Sequence, residues 1–182
     1  MAEPIMTDHE QLDAIDLRIL SELQDNGRIR NNELANRVGV SPPPCLRRVR
    51  SLIARGFIKS IRAVLDERLL GFEVVSFVSI QLERQAQATL QAFESTIVVA
   101  PFVQQCWRIS GDTDYLLKCV APNLEALQQQ ILGFTAMPNV RNVRSSVVLG
   151  TLKDGPLPVP RRQLASYLVG PAPAWNENGE AQ

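Results

Sequence analysis

The 182-residue chain has one histidine, His9, only three cysteines, 5% aromatic residues and no net charge. No stretch approaches the roughly 18 to 20 apolar residues that a membrane-spanning helix needs. The start, Met1 to Glu10, carries acids where a secretory signal would place a basic region ahead of an apolar one. The expectation is a cytoplasmic protein without a membrane partner. With one histidine, no Gly-rich phosphate loop, no metal-ligand cluster and no nucleophile motif, the sequence predicts no enzyme: no catalytic residues, no metal site and no cofactor. Asp112 and Asp114 lack the partner of different role that acid or base work requires. Cys45, Cys106 and Cys119 are odd in number, widely spaced and set among apolar neighbours, which speaks against disulfides or zinc and for buried thiols.

What is present is 45% hydrophobic and 21% charged residues, enough for one medium domain or two small ones. The zero net charge conceals an uneven distribution. Between Arg28 and Leu65 there are nine basic residues, Arg28, Arg30, Arg37, Arg47, Arg48, Arg50, Arg55, Lys59 and Arg62, against one acid, Glu33. Such an excess is either the footprint of a polyanionic partner or a solvated basic face.

The apolar pattern under those charges favours the first. Leu12, Ile15, Ile19, Leu20 and Leu23 recur at helical spacing, with Asp13 as N-cap and Gly27 as the residue just past the end. A second helix runs from about Asn32 to Val38, capped by Asn31, and stops at Gly39, where a sharp left-handed turn is available. After Gly39-Val40-Ser41, a third helix sets Leu46, Val49, Leu52 and Ile53 on one side, the first, second and fourth of them assigned to the core, and Arg47, Arg48 and Arg50 on the others. Two short helices joined by a glycine turn, the second basic, form a helix-turn-helix.

Pro42, Pro43 and Pro44 have no amide hydrogens, and a residue before proline avoids the α region, so the regular helix is expected to begin near Pro44. The amides that a Ser41 cap would serve are then missing, leaving its hydroxyl for a phosphate. The prolines also stop the turn from running on into the helix, and the two readings are compatible. Phe57 to Leu65 alternates loosely, as one or two short strands of a wing would, and Asp66 to Phe72 breaks the pattern.

From Val74 to Leu82 the run VVSFVSIQL reads as a strand with both faces at least partly covered. A helix over Gln87 to Ile97 follows, carrying Leu90, Phe93, Glu94 and Ile97. Strands over Pro101 to Ile109 and Thr113 to Val120 are joined by Ser110-Gly111-Asp112. A helix capped by Asn123 runs to Pro138, and a last strand covers Val140 to Leu149. The order is that of a ferredoxin-like unit with an open sheet face, of the kind that commonly becomes a dimer interface. The fold class is therefore α+β: a helix-turn-helix with a small wing over residues 1–62, a linker over 63–72, a ferredoxin-like βαββαβ domain over 73–153 and a proline-rich tail over 154–182. Most of that tail reads as flexible, with a short helix around Arg161 to Val169 suggested by Leu164, Tyr167 and Leu168.

Three segments, LDAIDLRILSELQDNGRI, ELANRVGVSPPPCLRRVRSLIARGFI and SGDTDYLL, resemble the first helix, the helix-turn-helix and the effector-domain signature of the Lrp/AsnC family of leucine- and asparagine-responsive regulators. The match covers about Leu12 to Lys153. The resemblance implies control of transcription on double-stranded DNA, altered by a small molecule, often an amino acid, in a homodimer or higher assemblies of dimers. It implies DNA contacts from Ser41, Pro42, Pro43, Arg47, Arg48 and Arg50, with Lys59 and Arg62 on phosphates. The arginine fork suits guanine or phosphate, although Arg50 would also be placed to turn back toward an acid, and any one of the three to sit in solvent. The resemblance further implies an effector pocket between neighbouring subunits around Gly111, Asp112, Thr113, Asp114 and Tyr115, with Leu124, Ser146 and Val147. Ser146 stands where some relatives have an aromatic residue. Amides near Gly111 would meet a carboxylate and the aspartates an ammonium, while the alternative for Asp112 and Asp114 is local hairpin bonding.

Overall fold

The first helix begins where a carboxylate can satisfy its free amides. The computed structural model describes residues 12–159, and in it α1 spans Ala14–Asp25 with Asp13 as N-cap. Asp13 accepts from the amides of Ile15 and Asp16 at 2.9 and 2.8 Å, and Asp16 reaches back to the Asp13 amide, closing a capping box. Asn26 ends the helix in an extended conformation, so Gly27 does not take the left-handed role expected of it. Its small size serves close approach: a Cβ there would lie 3.0 Å from the Ile61 side chain.

Helix α2 spans Asn31–Val38. Asn31, expected as its cap, lies inside the first turn, where its side-chain amide donates to the Pro42 carbonyl at 2.9 Å; Arg30 holds the cap position without a side-chain bond. Gly39 adopts φ 78°, ψ 36°, a conformation that Cβ-bearing residues resist, and turns the chain into α3, Pro42–Ala54. The regular helix thus starts at Pro42, not near Pro44. The first amides of any helix have no intrahelical acceptor, so three prolines at the first three positions lose nothing there, and the fixed proline φ suits the turn. The first helical bond runs from the Cys45 amide to the Ser41 carbonyl at 3.2 Å.

Ile19, Leu34, Ala35, Val38, Cys45 and Leu52 form the buried core of the three helices, with Ile15, Val49, Phe57 and Ile58 packed against it. The stripe of α3 is rotated from the expected one. Cys45 and Leu52 are buried, whereas Leu46 and Ile53 are exposed and Val49 is half-buried. No wing strand forms among the described residues of Phe57 to Leu65. Phe57 and Ile58 close the helical core instead, and their amides donate to the Leu52 carbonyl at 2.9 and 3.3 Å.

A second compact unit begins at Val64 and runs to Asp154, so residues 64–72, read as a linker, belong to it. Within it the Glu67 carboxylate pairs with Lys118 at 3.5 Å. The strands are β1 Val74–Leu82, β2 Val103–Arg108, β3 Tyr115–Ala121 and β4 Val140–Val147; the helices are α4 Gln87–Val98 and α5 Leu124–Thr135. The sheet order is β2-β3-β1-β4, and every pairing is antiparallel, the expected ferredoxin-like arrangement. Asn123 caps α5 as its sequence predicts, accepting from the Ala126 amide at 2.8 Å.

Strand β1 alternates, and its second face is half-buried at Val75, Ser79 and Gln81, so both faces are at least partly covered as expected. Val78, Ile80 and Leu82 pack with Phe93 and Ile97 of α4 and Phe134 of α5, while Phe77 turns to the open face, 36% exposed. Tyr115, Leu117 and Cys119 add β3 to the same buried layer. Cys45 and Cys119 are buried as expected, and desolvation, then the nearby Cys106, pushes the Cys119 thiol up to about 12. Cys106, on the edge strand, is exposed. Among the described residues no helix is long and apolar enough to cross a membrane. His9 and the helix suggested for Arg161 to Val169 lie outside the described residues.

The capping box makes a test. Burial raises the Asp13 carboxyl, but the Asp16 amide, the Arg48 guanidinium and the Ile15 amide outweigh it and hold the group below its ordinary 3.8. A depressed carboxylate contributes stability that is present above its unfolded pKa and lost as pH falls through the folded one. Asp13→Ala should therefore lower the stability of the first unit by about 1 kcal/mol at neutral pH and by less under acid conditions below pH ~3.5, read as urea midpoints with and without acid. An unchanged midpoint at pH 7 would contradict the assignment.

Candidate functional site

The three arginines of α3 have different surroundings. Arg48 turns back onto α1, its Nη1 lying 2.7 Å from Asp13 Oδ2 and 2.8 Å from Asp16 Oδ1. The Asp16 side chain is 9% exposed, so Arg48 is the partner that keeps a buried carboxylate from standing alone. The sequence allowed Arg50 to play this part; the structure gives it to Arg48. Arg47 and Arg50 are exposed, and among the described residues neither makes an ion pair.

Ser41 is also exposed and, as its neighbours' missing amides predict, its hydroxyl makes no capping bond. Pro43 is exposed and Pro42 half-buried, so Ser41, Pro43, Arg47 and Arg50 sit at the surface from the N-cap of α3 to just past its middle. Lys59 and Arg62 lie exposed on the segment after the helix. Arg37 is committed elsewhere, to Glu22 at 2.9 Å and Glu33 at 2.6 Å. The surface left over is cationic, with planar donors on a helix that follows a tight turn, chemistry that suits a groove lined by phosphates and base edges.

In the second unit the candidate residues do not all meet. The link between β2 and β3 runs from Ile109 to Asp114, longer than the three-residue hinge expected, and is closed by the Ile109 amide on the Asp114 carbonyl at 2.9 Å. Gly111 takes φ 125° there. Asp112 and Thr113 line a hollow of about 290 Å³ together with Gln81, Asn142 and Arg144. Asp114 does not face it. Its Oδ2 accepts from the Leu82 amide and its Oδ1 from the Gln85 side chain, both at 2.7 Å, so it is bound to the end of β1 and the segment after it, not to amides of its own hairpin.

Tyr115 points under α4 and is 1% exposed, its hydroxyl donating to Glu94 Oε1 at 2.7 Å. Burial first, and then Glu94, push that phenol up to about 12. Glu94 also pairs with Arg108, and the bonds from Arg108 and Tyr115 hold its carboxyl below the usual range. Leu124 is exposed beyond the opposite end of β3, since Tyr115 pairs with Ile80 and Ala121 with Val74. Ser146 lies opposite Phe77 on the open face and Val147 opposite Ser76 on the other. A larger cleft of about 560 Å³, bordered by Asp66, Arg68, Glu73 and Thr151, contains none of the predicted residues.

Gln81, Asn142 and Arg144 escape the sequence reading. Their signal is the period-two alternation of β1 and β4, which sends Gln81, Asn142 and Arg144 to the open face once Val78, Ile80 and Val143 are assigned to the core. Glu94 falls at helical spacing among core residues, and only the tertiary structure shows its two partners.

Both units match known family models. Residues 12–59 match a winged helix-turn-helix DNA-binding model, and residues 75–158 match the Lrp/AsnC ligand-binding domain. The leucine-responsive regulatory protein of Rhizobium meliloti is 47% identical over 145 residues, covering 79% of this chain and 93% of that protein. The protein of the same name from Escherichia coli strain K12 is 42% identical over 147 residues, 80% of this chain and 89% of the other. Among solved structures, a transcriptional regulator from Neisseria meningitidis in complex with L-Met is 33% identical and superposes with a TM-score of 0.77 over 81% of this chain and 96% of its own. An AsnC family regulator from Agrobacterium tumefaciens gives 0.76 at 32% identity, over 81% and 97%. With its helix-turn-helix followed by a ligand-binding sheet domain, the chain belongs to the Lrp/AsnC family of transcription regulators.

Proposed function

We propose that α3 reads the major groove through Arg47 and Arg50, with Ser41, Lys59 and Arg62 on phosphates, and that an amino acid bound by the second unit changes assembly or DNA affinity. The observation that carries the DNA half is the division among the arginines. Arg48 is tied to Asp13 and Asp16, so α3 is held with Arg47, Arg50 and the free Ser41 hydroxyl at the surface. Arg48 then acts as a positioning residue. Pro42 and Pro43 shape the turn that brings Ser41 to a phosphate. One such helix reads few base pairs, so a homodimer on half-sites about one helical turn apart, or a multiple of it, doubles the site.

For the effector, support comes from the hollow beside Asp112 and Thr113 and from two relatives, one named for leucine and one solved with L-Met. Leu124, Ser146 and Val147 stand away from the Gly111 turn in one chain, which supports a pocket completed by a neighbouring copy. Asp114 and Tyr115 contribute by fixing the β3 end of the hairpin.

Binding through roughly 6 to 10 phosphate contacts should weaken by orders of magnitude between about 50 and 200 mM salt. Arg47→Ala should cost about 1 to 3 kcal/mol and relax preference at one base pair, whereas Arg62→Ala should weaken all sequences alike. Arg48→Ala should lower the melting temperature together with the affinity, because Asp16 loses its partner. Titrations of specific and scrambled duplexes, with melts alongside, separate these outcomes; equal loss on both duplexes for Arg47→Ala would remove it from base reading.

A ligand bound only by the native state stabilises it by mass action, about 2.7 kcal/mol at one hundred times its Kd. Thermal melts with each of the twenty free L-amino acids should therefore show at least one clear rise. A flat panel would sink the amino-acid reading and leave the DNA half untouched.

A further inference from the structure

Leu46 is an alkyl side chain on the face of α3 that also carries the outward arginines. Its spacing assigned it to the core, yet it is 39% exposed, and neither Leu46 nor Ile53 joins the apolar residues packed against that core. The cause is the rotation of the helix, which turns Cys45 and Leu52 inward. Pro43, Leu46, Arg47 and Arg50 then fall at the i, i+3, i+4, i+7 spacing of a single face, within about 100° of the helix circumference. All four are exposed.

That face is cationic at Arg47 and Arg50 and apolar at Pro43 and Leu46. Arginine can satisfy base or phosphate acceptors, and leucine cannot. Set against the major-groove edge of guanine, cytosine or adenine, an alkyl group takes water from donors and acceptors and returns no hydrogen bond, which costs affinity. Thymine alone presents an alkyl group of its own there, the C5 methyl. Base edges are met by residues near the N-terminal end of a recognition helix. Leu46 is the fifth residue of α3, and Ile53 the twelfth. Single exposed leucines are ordinary on protein surfaces, but this one stands between Pro43 and Arg50 on the side turned away from the core.

Resting on the reading of α3 as the helix that enters the major groove, we infer that Leu46 is a specificity-determining residue that packs on the C5 methyl of a thymine in each half-site, beside the base pair that Arg47 contacts. No hydrogen bond is involved. The contact removes the methyl and part of the Leu46 side chain from water, which favours thymine at that position. The other bases are disfavoured because their polar edges are left unpaired. Discrimination thus rests on one carbon atom. Deoxyuridine, which pairs with adenine in the same way but lacks that methyl, is read as a wrong base.

The experiment compares duplexes that differ by single methyl groups. A preferred duplex is selected from a random pool with the full chain, and each of its thymines is replaced in turn by deoxyuridine. Titrations at one fixed salt concentration should show a position in each half-site where replacement weakens binding about fourfold, the scale of one methyl-sized group left in water. That position should adjoin the base pair at which Arg47→Ala relaxes preference. This arm uses the unmodified protein and needs no variant to fold. Leu46→Ala should bind the thymine and deoxyuridine duplexes alike, at about the wild-type affinity for the deoxyuridine one. Leu46→Met should retain the difference, and Ile53→Ala, two turns further along α3, should retain it in full. Wild-type binding indifferent to every replacement, or a deoxyuridine penalty that survives intact in Leu46→Ala, would overturn the inference while the DNA reading stands. If the chain selects no sequence from the pool, that reading falls and the inference with it.

Discussion

The first unit depends on one half-buried charge pair. Asp16 is part of the capping box of α1 and is almost wholly removed from water, and a carboxylate so placed must have a cation. Arg48 supplies it from α3, and Asp13 shares the same guanidinium. One interaction therefore caps α1, ties α3 to it and sets the rotation of α3, so that Cys45 and Leu52 turn inward and Arg47 and Arg50 outward. The surface proposed to meet DNA is what remains after an internal requirement has been met.

The second unit repeats that logic around its hairpin. Glu94 on α4 takes Arg108 at the end of β2 and the Tyr115 hydroxyl at the start of β3, while Asp114 closes onto the Leu82 amide and Gln85. Both ends of the 109–114 link are thereby fixed by carboxylates that have no charge left for a ligand. Asp112 and Thr113, between these anchors, are presented over the open face beside Arg144. Committed charges position uncommitted ones, and in both units the uncommitted ones are the candidates for binding.

Much of this was legible in the sequence. The local basic excess, the glycine turn at Gly39, the Asp13 and Asn123 caps and the order of strands and helices all depend on neighbours within a few residues. Such signals survive without knowledge of the rest of the chain. The errors have local causes too. Three prolines read as delaying a helix, although they fall on the amides a helix start leaves unused. An alternating run after Gly56 read as a wing, although Phe57 and Ile58 were needed to close the core.

What the sequence by itself determined is the family, the two-part architecture and the segments in which the candidate site residues lie, because caps, turns and hydrophobic periods are properties of short windows. Which of three adjacent arginines faces outward was beyond it, as was the separation of Asp112, unpaired, from Asp114, consumed. Those assignments rest on carboxylates 32 residues away in the case of Arg48 and Asp16, and equally far for Leu82 and Asp114. Only the folded chain brings such groups within hydrogen-bonding distance. A charge is functional or structural according to what lies within about 4 Å of it, a distance that composition and spacing do not encode.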